Sequence, residues 1–216
     1  MPRPMNPIDV RGREVYSVNM AMIERSDTRE RIAKVTRRLF DRHGLDGVSM
    51  RRVAREVGVT APAIYRHYGG RGELLEEITD AAFGILVRRL EKALAEPGTP
   101  VERILGLFDG YLDFALRHPR HFDFLFLEWR PNVRSVRELL QPGASPTAPL
   151  LKAEVEAAMD AGELRRDDVP ETCLALWGQA HGLLALYRAG RFHDDPEGFR
   201  GLYRRSLGRL LEGLAP

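Results

Sequence analysis

Three groups of residues in this chain combine side-chain types and spacing that could do chemistry. Arg51, Thr60, Tyr65, Arg66, His67 and Arg71 fall within SMRRVAREVGVTAPAIYRHYGGR, which starts at Ser49, and all of them carry donors for phosphate oxygens. His118 and His121, in HPRH with Asp123 close by, could set two imidazoles on one helical face for a metal. Only two such ligands cluster, and a proline opening a helix explains the same residues, so no metal is expected. Trp177 and His181 stand one turn apart in LALWGQAHGLLAL. A ligand contact is one reading of that pair; a buried, hydrogen-bonded histidine is the favoured one. There is no glycine-rich phosphate loop after a strand, no nucleophile elbow and no serine recognisably paired with a base. Neither catalysis nor a cofactor is expected.

The first group is positioned by two short helices and a tight turn. Ser49 is a good N-cap, and Met50, Val53, Ala54 and Val57 recur at the spacing of one buried helical face. Gly58 can take the left-handed conformation that ends a helix, and Val59 pins the turn. Thr60 can cap the next helix, Ala61 to Tyr68, and Pro62 is tolerated in its first turn. That helix would present Thr60, Ala61, Tyr65, Arg66 and His67 outward while Ile64 and Tyr68 pack inward. Small residues at its head allow close approach to a duplex, and the free N–H groups there suit a phosphate. Arg71 opens a further helix, where a cation opposes the helix dipole unless something anionic sits opposite, and a phosphate would serve. An ordinary helical hairpin would explain the same run without DNA.

Charge distribution favours the nucleic-acid reading. The 216 residues carry a net charge of only +2, but Thr28 to Leu75 holds eleven Lys and Arg against five Asp and Glu. A basic N-terminal module on an acidic remainder is the footprint of DNA binding confined to one end. The lone Cys173 excludes an intrachain disulfide framework, and neither a long apolar run nor a signal-like N-terminus occurs, so a cytoplasmic protein is expected.

No segment alternates like a strand, and the predicted fold is all-α with about nine helices. Residues 1–26, with three prolines near the start, read as a disordered arm in which Arg11 and Arg13 could touch a minor groove. Asp27 to Glu30 is a capping-box pattern opening a first helix whose stripe is Ile32, Val35, Leu39 and Phe40. The boundaries expected are a DNA-binding domain over 27–72 and a helical domain over 73–216, the latter opening with a helix from Glu73 to about Leu94. Thr99 to Glu102 caps another helix, Pro119 restarts a short one, and Arg130 to Pro149 reads as a loop with a helical piece near Val136 to Leu140. Helices then run to Ala161, from Asp168 to about Ala189, and from Asp195 to about Leu214. The last two carry the stripes Cys173, Leu176, Trp177, Ala180, Leu184, Tyr187 and Leu202, Tyr203, Leu207, Leu210, Leu211, Leu214, which suit either internal core or a partner subunit.

The run VAREVGVTAPAIYRHYGGRGELL resembles the recognition segment of the tetracycline-repressor (TetR) family of bacterial transcriptional regulators, with similarity from about Thr28 to Ala82. The resemblance implies that Arg51 contacts the DNA backbone or a base edge. Thr60, Ala61 and Pro62 would head the recognition helix, and Tyr65 and His67 would reach phosphates. Arg71 stands where the family usually has lysine, and Gly72 departs from the usual helix-favouring residue. The segment around Trp177, His181 and Gly182 is similar to a Trp-His-Gly pattern in one branch of the family. A homodimer through the last two helices, about 169–189 and 196–214, is implied, reading a near-palindromic double-stranded operator as a ligand-responsive repressor. Phe108, Tyr111, Phe114, Phe122 and Trp129, with Trp177 and His181, are the candidate contacts for a small apolar or aromatic effector. A non-sensing activator or architectural dimer, and a helical protein-interaction module, are the alternatives.

Overall fold

The structure, a computed structural model, describes residues 10–128, 136–139, 141, 143–193 and 195–216, with residues 10–26, 136 and 137 described by backbone alone. Trp129, one of the candidate effector contacts, lies outside the described residues, as does part of the expected loop. Every regular element among the described residues is helical: α1 (Val10–His43), a 3-10 turn (Leu45–Gly47), α2 (Met50–Val57), α3 (Ala61–Ile64), α4 (Arg71–Leu94), α5 (Pro100–Arg117), α6 (Pro119–Phe122), α7 (Val136–Leu139), α8 (Ala148–Asp160), α9 (Val169–Arg188) and α10 (Pro196–Gly213). Ten α-helices among the described residues, of which α3, α6 and α7 are four residues each, make up the all-α fold of about nine helices that the sequence predicts.

The chain divides within α4 into two compact units, Met1–Thr79 and Asp80–Pro216. In the first, α1 does not start at the Asp27 capping pattern but runs through it from Val10, so residues 10–26 extend a helix instead of forming a disordered arm. The physical reason is composition: Pro2, Pro4 and Pro7 all precede Val10, and no proline follows before Pro62. A capping pattern is used only where the preceding residue leaves the helical region. Ile32, Leu39 and Phe40 of α1 are buried, as are Val53, Val57, Ile64, Tyr68, Leu74 and Ile78, and α1 packs against α2. Val35, expected in that stripe, is half-buried.

The second unit is built on α5, which buries Ile104, Leu107, Phe108, Tyr111, Leu112, Phe114 and Ala115 and packs against α6, α8, α9 and α10. Its predicted capping box forms: Thr99 Oγ1 accepts from the Glu102 N–H at 3.3 Å and Glu102 Oε2 accepts from the Thr99 N–H at 2.8 Å. Asp168 and Asp195 cap α9 and α10 from one side only, accepting from the N–H groups of Glu171 and Gly198 at 2.9 and 2.7 Å. After α6 the chain makes one π-helical turn, Asp123–Leu127, held by a paired Asp123–Arg188 contact at 2.9 and 2.6 Å. Arg204 grips Asp109 at 2.7 and 2.8 Å and Arg200 reaches Asp113 at 2.6 Å, fastening α10 to α5.

Candidate nucleic-acid interface and apolar cavity

The two-helix motif is set by its caps. Ser49 Oγ accepts from the Arg52 N–H at 3.3 Å to open α2, and Gly58 closes it in the left-handed region at φ 80°. The N–H groups of Gly58 and Val59 both reach Ala54 O, at 3.0 Å each, which turns the chain sharply into Thr60. Thr60 Oγ1 then accepts from the Ala63 N–H at 3.3 Å, with Pro62 in the first turn of α3.

Regular α3 stops at Ile64, shorter than the expected Ala61 to Tyr68. The chain nevertheless keeps turning, because the N–H groups of His67 and Tyr68 both bond Ile64 O at 3.0 Å. Ile64 and Tyr68, four residues apart and so on one side of the turning chain, are each 0% exposed. The opposite side carries Thr60, Ala61, Pro62, Arg66 and Tyr65, all exposed, with Tyr65 keeping 55% of its surface. His67 is half-buried, and Arg51 on α2 is exposed.

Arg71 is held differently from its sequence-based expectation. Its Nε donates to Val48 O and its Nη2 to Leu45 O, both at 2.9 Å, so backbone carbonyls supply the negative partner that a phosphate was expected to provide. Two α1 arginines act alike and escaped the motif reading. Arg31 donates to Val57 O at 2.8 Å, and Arg29 donates to His67 O at 2.8 Å while lying 4.5 Å over the Tyr68 ring. Tyr68 donates to Glu77 Oε1 at 2.8 Å, and burial beside that carboxylate raises its phenol well above the usual range.

In the second unit a cavity of about 120 Å³ is lined by Phe108, Tyr111 and Trp177 from the predicted set, with Phe126, Leu151 and Cys173 among the other walls. Leu86 and Leu90 of α4 complete it, and Ser145 and Thr147 set hydroxyls at its edge. Among the described residues that line it, none carries a charge. Phe114 and Phe122 are fully buried core residues that do not line the space, and His181 stands beside it without lining it. Phe122 and Phe126 pack on Tyr111 at ring distances of 5.6 and 5.5 Å. His181 stacks on Trp177 at 5.1 Å, and its Nδ1 lies 3.0 Å from Tyr111 Oη. Burial pushes the Tyr111 phenol up and the His181 imidazole down, so at neutral pH both groups are uncharged and the imidazole tautomer sets which of them donates. Burial also pushes the Cys173 thiol up to about 12, which leaves it an unreactive part of the wall.

Most of the α9 and α10 stripes are internal core: Cys173, Leu176, Ala180, Leu184, Tyr203, Leu207, Leu211 and Leu214 are buried within one chain. What α9 leaves outside is a different line at four-residue spacing, with Leu174 44% and Leu186 48% exposed and Gly178 and Gly182 between them. A side chain added at either glycine would meet nothing within 4 Å. His118 and His121 pack edge to face at 5.9 Å, and among the described residues no group of three or more His, Cys, Asp and Glu could hold a metal. Among those residues, no helix is long and apolar enough to cross a membrane.

Residues 32–78 match the family pattern of bacterial regulatory proteins, tetR family, and residues 104–210 match the tetracyclin repressor-like C-terminal domain. The chain belongs to the tetR family. It is 31% identical over 109 residues to the HTH-type transcriptional repressor SCO4008 of Streptomyces coelicolor, a match covering 50% of this chain and 53% of that protein. The chain thus spans about half the length of that curated relative and of the Staphylococcus aureus regulator SAR2658. A TetR/AcrR-family regulator from Thermobifida fusca has a similar structure, with a TM-score of 0.60 at 25% identity, covering 88% of this chain and 100% of that one. RolR in complex with resorcinol shares the fold, with a TM-score of 0.62 at 15% identity and 89% of each chain covered.

Proposed function

We propose that this tetR-family protein is a DNA-binding transcriptional regulator that acts as a cytoplasmic homodimeric repressor, leaving its operator when a small uncharged compound fills the cavity. The observation that carries the DNA reading is the outward set Thr60, Ala61, Pro62, Tyr65 and Arg66, raised over the buried Ile64 and Tyr68 in the basic half of the chain. Small residues at the head of α3 let the backbone approach a major groove. Arg51, Arg66, Tyr65 and His67 supply phosphate and base-edge donors. One such helix binds weakly, and a dimer would place two in successive major grooves of a near-palindrome. The Leu174, Gly178, Gly182, Leu186 line of α9 is the surface we assign to the partner subunit, because small residues flanked by leucines let two helices come close.

The cavity chemistry favours a neutral, largely apolar effector. With no charged side chain among the described residues of its lining, an ionised ligand would lose its hydration without a partner there. Its size is near the roughly 150 Å³ known to accept benzene, so a single-ring compound fits better than a polycyclic one. RolR, of the same fold, was solved with resorcinol, and substituted phenols are a sensible first panel. Leu86 and Leu90 line the cavity and belong to the helix that opens at Arg71, so filling the space bears directly on α4. Such a ligand releases DNA only by preferring the DNA-incompetent state, and a hundredfold loss of affinity needs about 2.7 kcal/mol of preference.

The test is anisotropy on an operator recovered from a random duplex pool. Tyr65→Ala and Arg66→Ala should each weaken binding at least about tenfold, the scale of a lost direct contact, with the dimer mass unchanged. Unchanged affinity in both would remove α3 from the interface.

A further inference from the structure

We propose that Arg71 is a positioning residue of the DNA-binding unit: its guanidinium fastens the head of α4 to the turn ahead of α2, and it is not a phosphate contact. The proposal rests on the DNA-binding reading above. Nε and Nη2 lie on one edge of the guanidinium, and here each holds a different carbonyl, Val48 O and Leu45 O, at 2.9 Å. Those carbonyls bracket the 3-10 turn, whose own closing bond runs from the Val48 N–H to Leu45 O at 3.1 Å. Val48 is 1% exposed and immediately precedes Ser49, the residue that caps α2. Arg71 therefore fixes where α2 begins with respect to the first turn of α4.

The same device occurs at two other points of the unit. Arg31 takes Val57 O at the end of α2, and Arg29 takes His67 O at the end of the turn after α3. Arginine donors thus close the carbonyl ends of the elements that would read DNA. The arrangement also resolves the electrostatics of a cation at a helix N-terminus, since the negative ends of two peptide dipoles face it. A lysine keeps the charge but lacks the two-pronged edge, so it cannot hold both carbonyls in this way.

Arg71→Gln, Arg71→Lys and Arg66→Gln are compared with the parent protein in two measurements. The first is affinity for a mixed-sequence duplex of about 30 base pairs at roughly 50 to 200 mM salt, where each lost phosphate contact lowers the log–log slope by about 0.9. The second is amide hydrogen exchange over residues 45–50 of the free protein. Arg66→Gln should lose about 0.9 of slope per subunit without changing that exchange. Both Arg71 variants should keep the parent slope and exchange about tenfold faster over the turn, the factor expected when charge-assisted hydrogen bonds to its carbonyls are lost. A slope lowered by about 0.9 per subunit in Arg71→Gln and restored in Arg71→Lys overturns the proposal. So does unchanged exchange in both Arg71 variants. If the parent shows no salt-dependent DNA binding, it is the DNA reading that fails, and exchange alone still decides whether Arg71 braces the turn.

Discussion

Gly47 offers a sharp test of how tightly the DNA-binding unit is assembled. Its backbone lies outside the left-handed region, so conformational freedom is not why glycine is needed there; space is. A Cβ at this position would lie 2.4 Å from His43 Cβ and 3.0 Å from Leu39 O. Carbon atoms pack at about 3.5–4.0 Å, so the first contact must open by more than about 1 Å. Neither neighbour yields easily, because Leu39 O is α1 backbone and His43 Cβ is attached to it. Overpacking of this kind costs about 1–3 kcal/mol, and displacing the turn would also strain the carbonyls that Arg71 holds. We expect Gly47→Ala to lose about 2–3 kcal/mol, which for a unit of this size lowers its Tm by on the order of 10 °C. Both tryptophans, Trp129 and Trp177, fall in the second half of the chain, so the loss should be read by calorimetry or by hydrogen exchange over residues 28–79. Gly72→Ala is the control: it is helical with nothing within 4 Å of an added Cβ, and should be neutral or gain up to about 1 kcal/mol. A Gly47→Ala protein as stable as its parent would refute the packing described for the 3-10 turn.

Thr60→Ala removes the α3 cap and should cost about 1 kcal/mol in the first unit while weakening operator affinity, measured by denaturant melts and anisotropy; a change in neither would mean the cap is unused. Leu151→Trp fills the cavity and should abolish effector-dependent release with operator binding retained; a variant still released by the same compound would place the effector elsewhere. Burial holds the His181 pKa below its unfolded value of about 6.5, so the unfolded chain takes up a proton that the folded one declines. Its contribution is complete above that pH and declines as pH falls below it, and His181→Phe should flatten the fall in Tm between about pH 7 and 5.5. An identical pH profile in the variant would show that His181 is solvated. Tyr111→Phe should destabilise the second unit by about 1 kcal/mol in a denaturant melt, since it removes the hydroxyl hydrogen-bonded to His181 Nδ1.

Local chemistry was legible from the sequence wherever one or two turns decide the outcome. Ser49, Gly58, Thr60, Thr99 with Glu102, Asp168 and Asp195 occupy the cap positions their side chains suit. Signals that depend on what surrounds a segment were not legible. Asp27 has the chemistry of a cap, yet the helix entering from Val10 passes through it. Helix-dipole reasoning showed that Arg71 needs a negative partner, but nothing local reveals carbonyls 23 and 26 residues earlier in the chain. Phe108, Phe114, Phe122 and Phe126 are alike in composition, and tertiary packing alone separates cavity walls from core. Phe126 joins the wall from the π-helical turn Asp123–Leu127, a conformation that a 3.6-residue period does not anticipate. The α9 stripe is apolar and helical as its spacing predicts, but its buried side serves the chain itself and the exposed Leu174 to Leu186 line lies on another face.

The central claim is that two copies of α3 read two halves of one DNA site. Selection of bound sequences from a random duplex pool, with light scattering on the same preparation, tests it most directly. The account predicts an inverted repeat whose half-sites are about 34–36 Å apart, or a multiple of that, bound by a particle of twice 24.5 kDa. A well-folded protein that enriches no motif at low salt, or that binds an asymmetric site as a single chain, would contradict it.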